Sequence, residues 1–433
     1  MVLMELGVLV WWVNNMSDLY ATPCYASGPN TINAGQITDG IISADRLPDK
    51  KQHTPDIHNP IGVFAIHDIA PNSTLVVQIP TAKNYDAVVV QLENWAGNAD
   101  LEITSMAVAL AEDTLDDGLG LTWHNIYTAG QKTYNIAKVG AGVSIPTKGH
   151  ISDLTILTSD GSYNFIQFRI YFANGAKVRS LQDNMFADML YYPGEDIVED
   201  YACDVLEGDS VTTIGAAALQ RNLCLMLPGG VGFSGKTHSI QVVSYGDSLM
   251  YGAGASRVNG AWLTRATRLL SSPELAVAYN NNGKVGQGHQ ETMLWARCDS
   301  NSIVPDVLVI NVNSPNSGDL DGVGFYERLI DTIYTIEKYN ALGSRVFVTT
   351  QPPFTSCTHT EERLLLNKLL IDNQKLYRYT VIDLAALWQD AQDPSIWKAE
   401  YYLDGVHPNE DAHIAAGNLA YEIMRTLSLF TVR

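Results

Sequence analysis

The chain has 433 residues, of which 46% are hydrophobic and 17% are charged, and its formal net charge is −20. This composition is typical of a globular protein, and the length predicts two or three domains. Nucleic acids and anionic membrane surfaces are bound by basic patches, so the negative charge argues against both as partners. Five scattered cysteines without a Cys-x-x-Cys pair indicate neither a zinc ribbon nor a disulfide framework.

The first 54 residues predict an N-terminal arm or linker. The apolar stretch 1–13 lacks a basic flank and a small-residue cleavage site, and it is far shorter than the ~20 residues that span a bilayer. We therefore expect neither a secretion signal nor a membrane span here, and favour a buried strand or packing arm. Met16 is an alternative natural start, in which case residues 1–15 are upstream sequence.

From residue 55 to 172, short apolar runs alternate with turn residues. Each run is rich in Val, Ile, Phe and Tyr and is bounded by Asn, Gly, Asp or Pro. The predicted strands are 61–66, 73–79, 86–91, 101–106 and 164–171. This spacing predicts an all-β, sandwich-like accessory domain. Residues 173–236 are less regular and are predicted to connect the two halves, with a helix over 178–191 and a glycine-rich boundary at 227–236.

From residue 237 to 433 the pattern changes to strands that alternate with helices. The predicted strands are 238–245, 275–280, 305–312, 345–350 and 379–384. Helical periodicity appears between them, as in the predicted shared face of Trp262, Leu263, Ala266, Leu269 and Leu270. The alternation predicts an α/β domain with a five-stranded, mainly parallel sheet. In such sheets, functional sites form at the carboxyl ends of the strands.

Ser248 follows the first of these strands, within Gly-Asp-Ser-Leu at 246–249. A nucleophilic serine needs a base, a group that orients the base, and donors for the oxyanion. Asp404 and His407 stand three residues apart in Tyr-Leu-Asp-Gly-Val-His-Pro-Asn at 402–409, where Asn409 is the predicted N-cap of the last helix. A hydrogen bond between them would leave the other imidazole nitrogen for Ser248. Taken alone, Asp-x-x-His is more simply a turn followed by a surface histidine.

Gly-Asp-Ser-Leu after the first strand and Asp-x-x-His before the last helix resemble the GDSL, or SGNH, hydrolase superfamily. The resemblance covers roughly residues 238–430. It implies a flavodoxin-like fold and serine ester hydrolysis with no metal or other cofactor. On this resemblance Ser248 is the nucleophile, His407 is the general base and then acid, and Asp404 orients His407.

The resemblance also implies an oxyanion hole. The Ser248 amide is one donor, and the family's second block, a glycine after the second strand, is best matched by Gly286 within 280–288. The third block, normally Gly-x-Asn-Asp, departs from the pattern, because 311–318 read Asn-Val-Asn-Ser-Pro-Asn-Ser-Gly. Asn316 fits if the loop is one residue longer than usual and Asn313 fits if it is shorter. We favour Asn316.

Other polar residues near these blocks are candidates for the substrate pocket. They are Asp247, His289 and Gln351. For Asp247, a role in ordering the strand-to-helix loop is simpler than a role in catalysis. For His289, a structural role or a contact with substrate is simpler than catalysis. His413, in the last helix, is expected on the surface. No Asp, His or Glu cluster has the spacing of a metal site.

A long β-rich N-terminal region suits an enzyme that acts on a polymer, so the leading substrate is an O-acetyl ester on a carbohydrate or polysaccharide. Residues 34–49, AGQITDGIISADRLPD, resemble linker segments of bacteriophage tail-fibre proteins. That resemblance implies an extracellular or virion-borne carbohydrate esterase and a homotrimer. Two alternatives stay open: a lipid or short-chain acyl esterase with an accessory β domain, and an inactive glycan-binding virion protein.

Overall fold

The computed structural model describes residues 57–58, 65–80, 85–92, 94, 100–113, 116–136, 150–153, 155–159, 165–180, 202–219, 231–235, 239–255, 260–271, 275–300, 304–312, 314–317, 322–355 and 357–430. The predicted arm 1–54, the tail-fibre-like segment 34–49 and Asn313 lie outside these residues. No helix of the described part is long and apolar enough to cross a membrane.

The strands of the N-terminal part are β1 (Ile57–His58), β2 (Ala65–Ile69), β3 (Ser73–Pro80), β4 (Tyr85–Leu92), β5 (Leu101–Ile103), β6 (Ser105–Ala111), β7 (His124–Ile126), β8 (Tyr134–Ile136), β9 (His150–Ile151), β10 (Thr155–Ser159), β11 (Phe165–Phe172), β12 (Ala176–Ser180), β13 (Ala202–Glu207) and β14 (Val231–Gly235). They form two five-stranded antiparallel sheets. One has the order β1-β14-β4-β10, with β9 also paired to β4, and the other β13-β3-β11-β6-β7. Two ribbons, β12-β2 and β5-β8, accompany them.

The two sheets bury one shared apolar cluster. In β11, Ile166, Phe168 and Ile170 belong to this cluster, as do Val88 and Val90 of β4. Alternate residues along a strand point to opposite faces, so each of these β11 side chains projects toward the same side. Burial of the cluster is what holds the two sheets together.

Residues 173–236 contribute one strand to each of these sheets, β13 and β14, and one strand, β12, to a ribbon. β12 pairs with β2, β13 with β3, and β14 with β4. The predicted helix over 178–191 is wrong at its start, because Ala176–Ser180 is a strand, and residues 181–191 lie outside the described residues. Pairing with a distant strand decides this conformation, and local periodicity does not report such pairing. We propose that the β-rich domain extends to residue 235.

The C-terminal strands are β15 (Ser239–Gly246), β16 (Ala276–Gly283), β17 (Val307–Asn311), β18 (Arg345–Thr349) and β19 (Tyr379–Ile382). The helices are α1 (Ser248–Tyr251), α2 (Trp262–Leu270), α3 (His289–Asp299), α4 (Gly322–Ala341), α5 (Thr360–Asp372), α6 (Gln374–Tyr377), α7 (Leu384–Trp388) and α8 (Glu410–Met424). The strands form one parallel sheet in the order β16-β15-β17-β18-β19. The predicted five-stranded parallel sheet is confirmed.

Helices cover both faces of this sheet. Val243 and Tyr245 of β15 pack in one cluster with Trp295 of α3, while Val242 packs in the opposite cluster with Trp262 of α2. Leu269, which was predicted on the buried face of α2, is instead 53% exposed. Because the strands are parallel, their carboxyl ends share one edge of the sheet, and the loops that carry the predicted site residues leave from that edge.

Candidate active site

Ser248 is the first residue of α1, and only Asp247 separates it from the end of β15. The Asp247 carboxylate caps this helix by accepting a hydrogen bond from the Leu249 amide at 2.9 Å. Gly246 permits the close turn, because a Cβ there would lie 2.5 Å from Cβ of Met250. Amides in the first turn of a helix have no intrahelical acceptor, so the Ser248 amide can serve an anion at this position.

The structure brings Ser248, His407 and Asp404 into one hydrogen-bonded chain. The distance from Ser248 Oγ to His407 Nε2 is 2.9 Å, and that from His407 Nδ1 to Asp404 Oδ2 is 2.7 Å. Ser248 is buried, whereas the side chains of the other two residues are partly exposed. A serine hydroxyl against an imidazole that is oriented by a carboxylate can lose its proton as it attacks a carbonyl carbon.

Asp404 is held in its ionised form. Partial burial raises the pKa of its carboxyl, but hydrogen bonds from the His407 side chain, from the His407 amide and from the Val406 amide lower it further, and the pKa falls to about 2. Its Oδ1 accepts from these two amides at 2.8 and 3.0 Å, while Oδ2 faces the imidazole. One carboxylate therefore shapes the turn and orients the histidine.

The loop that carries Asp404 and His407 is fastened at both ends. Gly405 has a φ of +91°, and its carbonyl accepts from the Thr355 amide at 2.9 Å and from its hydroxyl at 3.0 Å. A Cβ on Gly405 would lie 2.0 Å from Thr355 Oγ1, so the close approach requires glycine. Asn409 caps α8 by accepting from the Ala412 amide, which confirms the predicted N-cap.

Gly286 and Asn316 lie on neighbouring loops after β16 and β17. Gly286 is exposed and has a φ of +76°, and among the described residues no acceptor is found for its amide. Asn316 is also exposed, and its Nδ2 donates to the Gln287 carbonyl at 3.2 Å and to Ser314 Oγ at 3.0 Å. Asn316 is thus tied to the residue that follows Gly286.

Asp247 lies next to Ser248, where it holds strand ends together. Besides capping α1, its Oδ1 accepts from Asn311 Nδ2 at 2.7 Å, and Asn311 Oδ1 accepts from Thr349 Oγ1 at 2.6 Å. Burial raises the pKa of the Asp247 carboxyl. Asn311 and Thr349 were missed by sequence reasoning. The available signal was a polar residue at the last position of each otherwise apolar strand.

His289 and Gln351, the other pocket candidates, are engaged with the protein interior. The His289 ring is buried with Nε2 3.2 Å from the Arg328 carbonyl, and burial together with the Arg328 charge lowers its pKa to about 3. Gln351 is buried, and its backbone is bonded to Asn367 and Arg363 of α5. The structure therefore gives His289 a neutral ring that links α3 to α4.

His413 is not on the surface, contrary to the prediction. It is fully buried on α8, with Nε2 3.0 Å from the Ala253 carbonyl, and burial lowers its pKa to about 4. Its ring packs edge-on against Trp388. The residue therefore fastens α8 to the segment that follows α1. In the part of the chain that the structure describes, no three His, Cys, Asp or Glu side chains are grouped as metal ligands would be.

A comparison with known protein families matches the C-terminal part of the chain. A family model for the GDSL-like Lipase/Acylhydrolase family matches residues 244–415. No curated protein matches the chain. Because the family model contains Ser248 and reaches past His407, it covers the loops described above.

Several solved structures are similar to a part of this chain. A GDSL-like lipase from Bacteroides thetaiotaomicron is 17% identical, with a TM-score of 0.35, over 43% of this chain and 87% of that chain. A member of the lipolytic protein G-D-S-L family from Veillonella parvula is 16% identical, with a TM-score of 0.36, over 44% of this chain and 100% of that chain. The psychrotrophic esterase EstA from Pseudoalteromonas sp. is 12% identical, with a TM-score of 0.35, over 44% and 97%. These TM-scores are too low to carry an argument, so the assignment rests on the family model: residues 244–415 form a GDSL-like lipase/acylhydrolase domain, which belongs to the carboxylic ester hydrolases.

Proposed function

We propose that the protein is a serine esterase that removes acyl groups, in the first place O-acetyl groups, from a carbohydrate or polysaccharide. The observation that carries the esterase part is the hydrogen-bonded chain from Ser248 through His407 to Asp404, with distances of 2.9 and 2.7 Å. An inactive binding protein has no need to keep a serine, a histidine and an ionised carboxylate in this order.

In the proposed reaction Ser248 Oγ attacks the ester carbonyl carbon while its proton passes to His407 Nε2. The negative charge on the carbonyl oxygen is stabilised by the amides of Ser248 and Gly286 and by Asn316. Collapse of the intermediate breaks the bond to the alcohol oxygen, which takes the proton from His407. Water then attacks the acyl-enzyme by the same route, which releases the acid and regenerates Ser248.

The carbohydrate part of the proposal is supported by the β-rich N-terminal region. A sandwich-like accessory domain of this size is more natural beside an enzyme that acts on a polymer than beside one that acts on a small ester. The name of the matching family favours a second candidate, a lipid or short-chain acyl esterase. The extracellular or virion-borne location and the trimer stay predictions.

A comparison of substrates distinguishes the two candidates. We expect turnover of p-nitrophenyl acetate well above that of the butyrate and octanoate, together with release of acetate from an O-acetylated polysaccharide. The chemically deacetylated polymer is the control. A preference for octanoate would favour the lipid esterase. If neither the p-nitrophenyl esters nor the acetylated polymer were cleaved, both esterase candidates would be contradicted.

Asn316→Ala tests the third oxyanion donor. Both hydrogens of its Nδ2 are donated within the protein, so one must be redirected to the oxyanion in the transition state. We expect kcat to fall by roughly 10²-fold with little change in KM, because the interaction exists only in the transition state. The control is Asn340→Ala, which removes an amide bonded to the Tyr377 carbonyl away from these loops. A kcat close to that of the wild type would leave Asn313 as the candidate.

A further inference from the structure

Strand β4 of the N-terminal part is buried on both of its faces. Val88 and Val90 belong to the core between the two antiparallel sheets. Ala87, Val89 and Gln91 alternate with these valines and point to the other face of the sheet, yet they are only 4%, 2% and 0% exposed. An antiparallel sheet with one solvated face normally alternates apolar and polar residues, which β4 does not. A second part of the protein therefore covers the outer face of β4.

At Gln91 this face meets β16, the edge strand of the parallel sheet. Gln91 Oε1 accepts a hydrogen bond from Asn280 Nδ2 of β16 at 3.2 Å, and Asn280 is fully buried. Strand β1, from the same antiparallel sheet as β4, also contacts β16. The N-terminal sheet thus packs against the edge of the parallel sheet through a pair of buried amides. A buried amide that loses its partner is destabilising, so the pair fixes how these elements meet.

The carboxyl end of β16 leads directly into the loop that contains Gly286. Asn280 is in register with Val243, so it projects to the face of the sheet that carries α3. The next residue, Asn281, projects to the other face and donates to the Met250 carbonyl of α1 at 3.2 Å. The strand end is therefore fastened on one face to the helix that carries Ser248 and on the other to Gln91.

We propose that the N-terminal β domain positions the oxyanion loop, with Gln91 as a positioning residue that acts through Asn280 on Gly286. This inference rests on the role of Gly286 in the proposed function. Gln91 itself contacts no reacting atom. Its effect is to hold β16 at Asn280, before the strand enters the loop, so that the Gly286 amide stays at the distance that an oxyanion requires.

Loss of the bond between Gln91 and Asn280 should mainly raise the free energy of the transition state. An oxyanion donor acts only when it is placed where the charge develops, and a misplacement of ~1 Å can lower the rate by up to ~10²-fold. The neutral carbonyl oxygen of the ground-state ester accepts a weaker hydrogen bond from the same donor. A variant that loosens the loop therefore lowers kcat and changes KM little.

Gln91→Leu in the full chain tests the proposal, with Gln78→Leu as the matched control. Gln78 is likewise buried on a β-strand, and its Oε1 accepts from the Gln167 side-chain amide at 3.2 Å, but it lies on β3 of the other antiparallel sheet. Both variants remove one side of an amide pair and leave the other side buried. The quantities to measure are the unfolding temperature, kcat and KM with p-nitrophenyl acetate, and the hydrogen exchange of the amides in 283–288.

We expect Gln91→Leu to lower kcat by about tenfold, to leave KM within about twofold, and to speed exchange in 283–288. The two variants should lower the unfolding temperature by similar amounts. In Gln78→Leu, however, kcat and the exchange in 283–288 should stay at the wild-type values. Equal losses of kcat in the two variants, or wild-type kcat and exchange in Gln91→Leu, would overturn the proposal. If Gln91→Leu does not fold, Asn280→Ala removes the same bond from the other side, with the same expectations.

The exchange measurement separates this inference from the proposed function. If the wild-type protein cleaved no ester, the proposed function would fail. The comparison of exchange in 283–288 between the two variants would still decide whether the N-terminal domain orders this loop.

Discussion

Ser248→Ala is expected to lower ester hydrolysis by roughly 10⁴-fold or more, measured as kcat/KM with p-nitrophenyl acetate. In the proposed mechanism, the hydroxyl that lies 2.9 Å from His407 Nε2 is the group that bonds to the acyl carbon, so its removal prevents that step. The oxyanion donors and the binding groups stay in place, so some catalysis above the rate in water should remain. The unfolding temperature should change little, because only one oxygen atom is removed.

Ser244→Ala is the control for this substitution. It removes a buried hydroxyl from β15, the strand before α1, where Ser244 Oγ lies 2.8 Å from the Tyr279 hydroxyl. This variant should keep its activity while it loses some stability, because the Tyr279 hydroxyl loses a partner. If Ser248→Ala matched the wild type on every ester, the assignment of Ser248 as nucleophile would be wrong.

Asp404→Asn is expected to lower kcat by roughly 10⁴-fold. The asparagine oxygen can still accept from the amides of Val406 and His407, so the turn should persist. The NH2 group would then face His407 Nδ1, which would have to accept. The imidazole proton would move to Nε2, and a protonated Nε2 has no lone pair for the proton of Ser248.

The pH dependence gives this prediction a second test. Because the pKa of Asp404 is depressed to about 2, its carboxylate is ionised throughout the range above about pH 4. The Asp404 carboxyl in the wild-type protein should therefore stay ionised between about pH 5 and 9 and become protonated only as the pH falls toward 2, as followed by NMR of its side-chain carbon. Protonation of this carboxyl already near pH 5 would contradict the prediction.

Asp390→Asn is the matched control for Asp404→Asn. Asp390 Oδ1 accepts from the amides two and three residues later, Gln392 and Asp393, as Asp404 Oδ1 does. It closes a turn at 390–393, which is separate in sequence from the loop that carries Asp404 and His407. We expect its kcat to equal that of the wild type, and a comparable loss in both variants would point to turn disruption instead of loss of the carboxylate.

Much of the C-terminal domain could be predicted because its signals are local. Each strand of the parallel sheet contains a short apolar run, and such a run can be recognised from neighbouring residues without knowing which strand it pairs with. Ser248, Asp404 and His407 stand in short motifs at element ends, where the residue types needed for a turn and for a cap are specific. The N-cap role of Asn409 is a local interaction of the same kind.

The errors fall where a distant partner decides the conformation. β12 is a strand because β2 pairs with it, and His413 is buried because the Ala253 carbonyl and Trp388 lie against its helix. The Asn311 side chain joins Asp247 to Thr349 across three strand ends, which no spacing in the sequence reports. Each of these facts depends on residues that are far apart in the chain.

The sequence by itself determined which residues can do the chemistry and that a parallel sheet carries them, because short motifs and apolar periodicity are properties of neighbouring residues. Only the tertiary structure decided that Ser248 and His407, 159 residues apart, meet at 2.9 Å, and that Gln91 of the N-terminal domain reaches Asn280. Such contacts follow from the order of strands in the sheet and from which faces bury each other. They depend on the free energy of packing the whole chain, which no local segment contains.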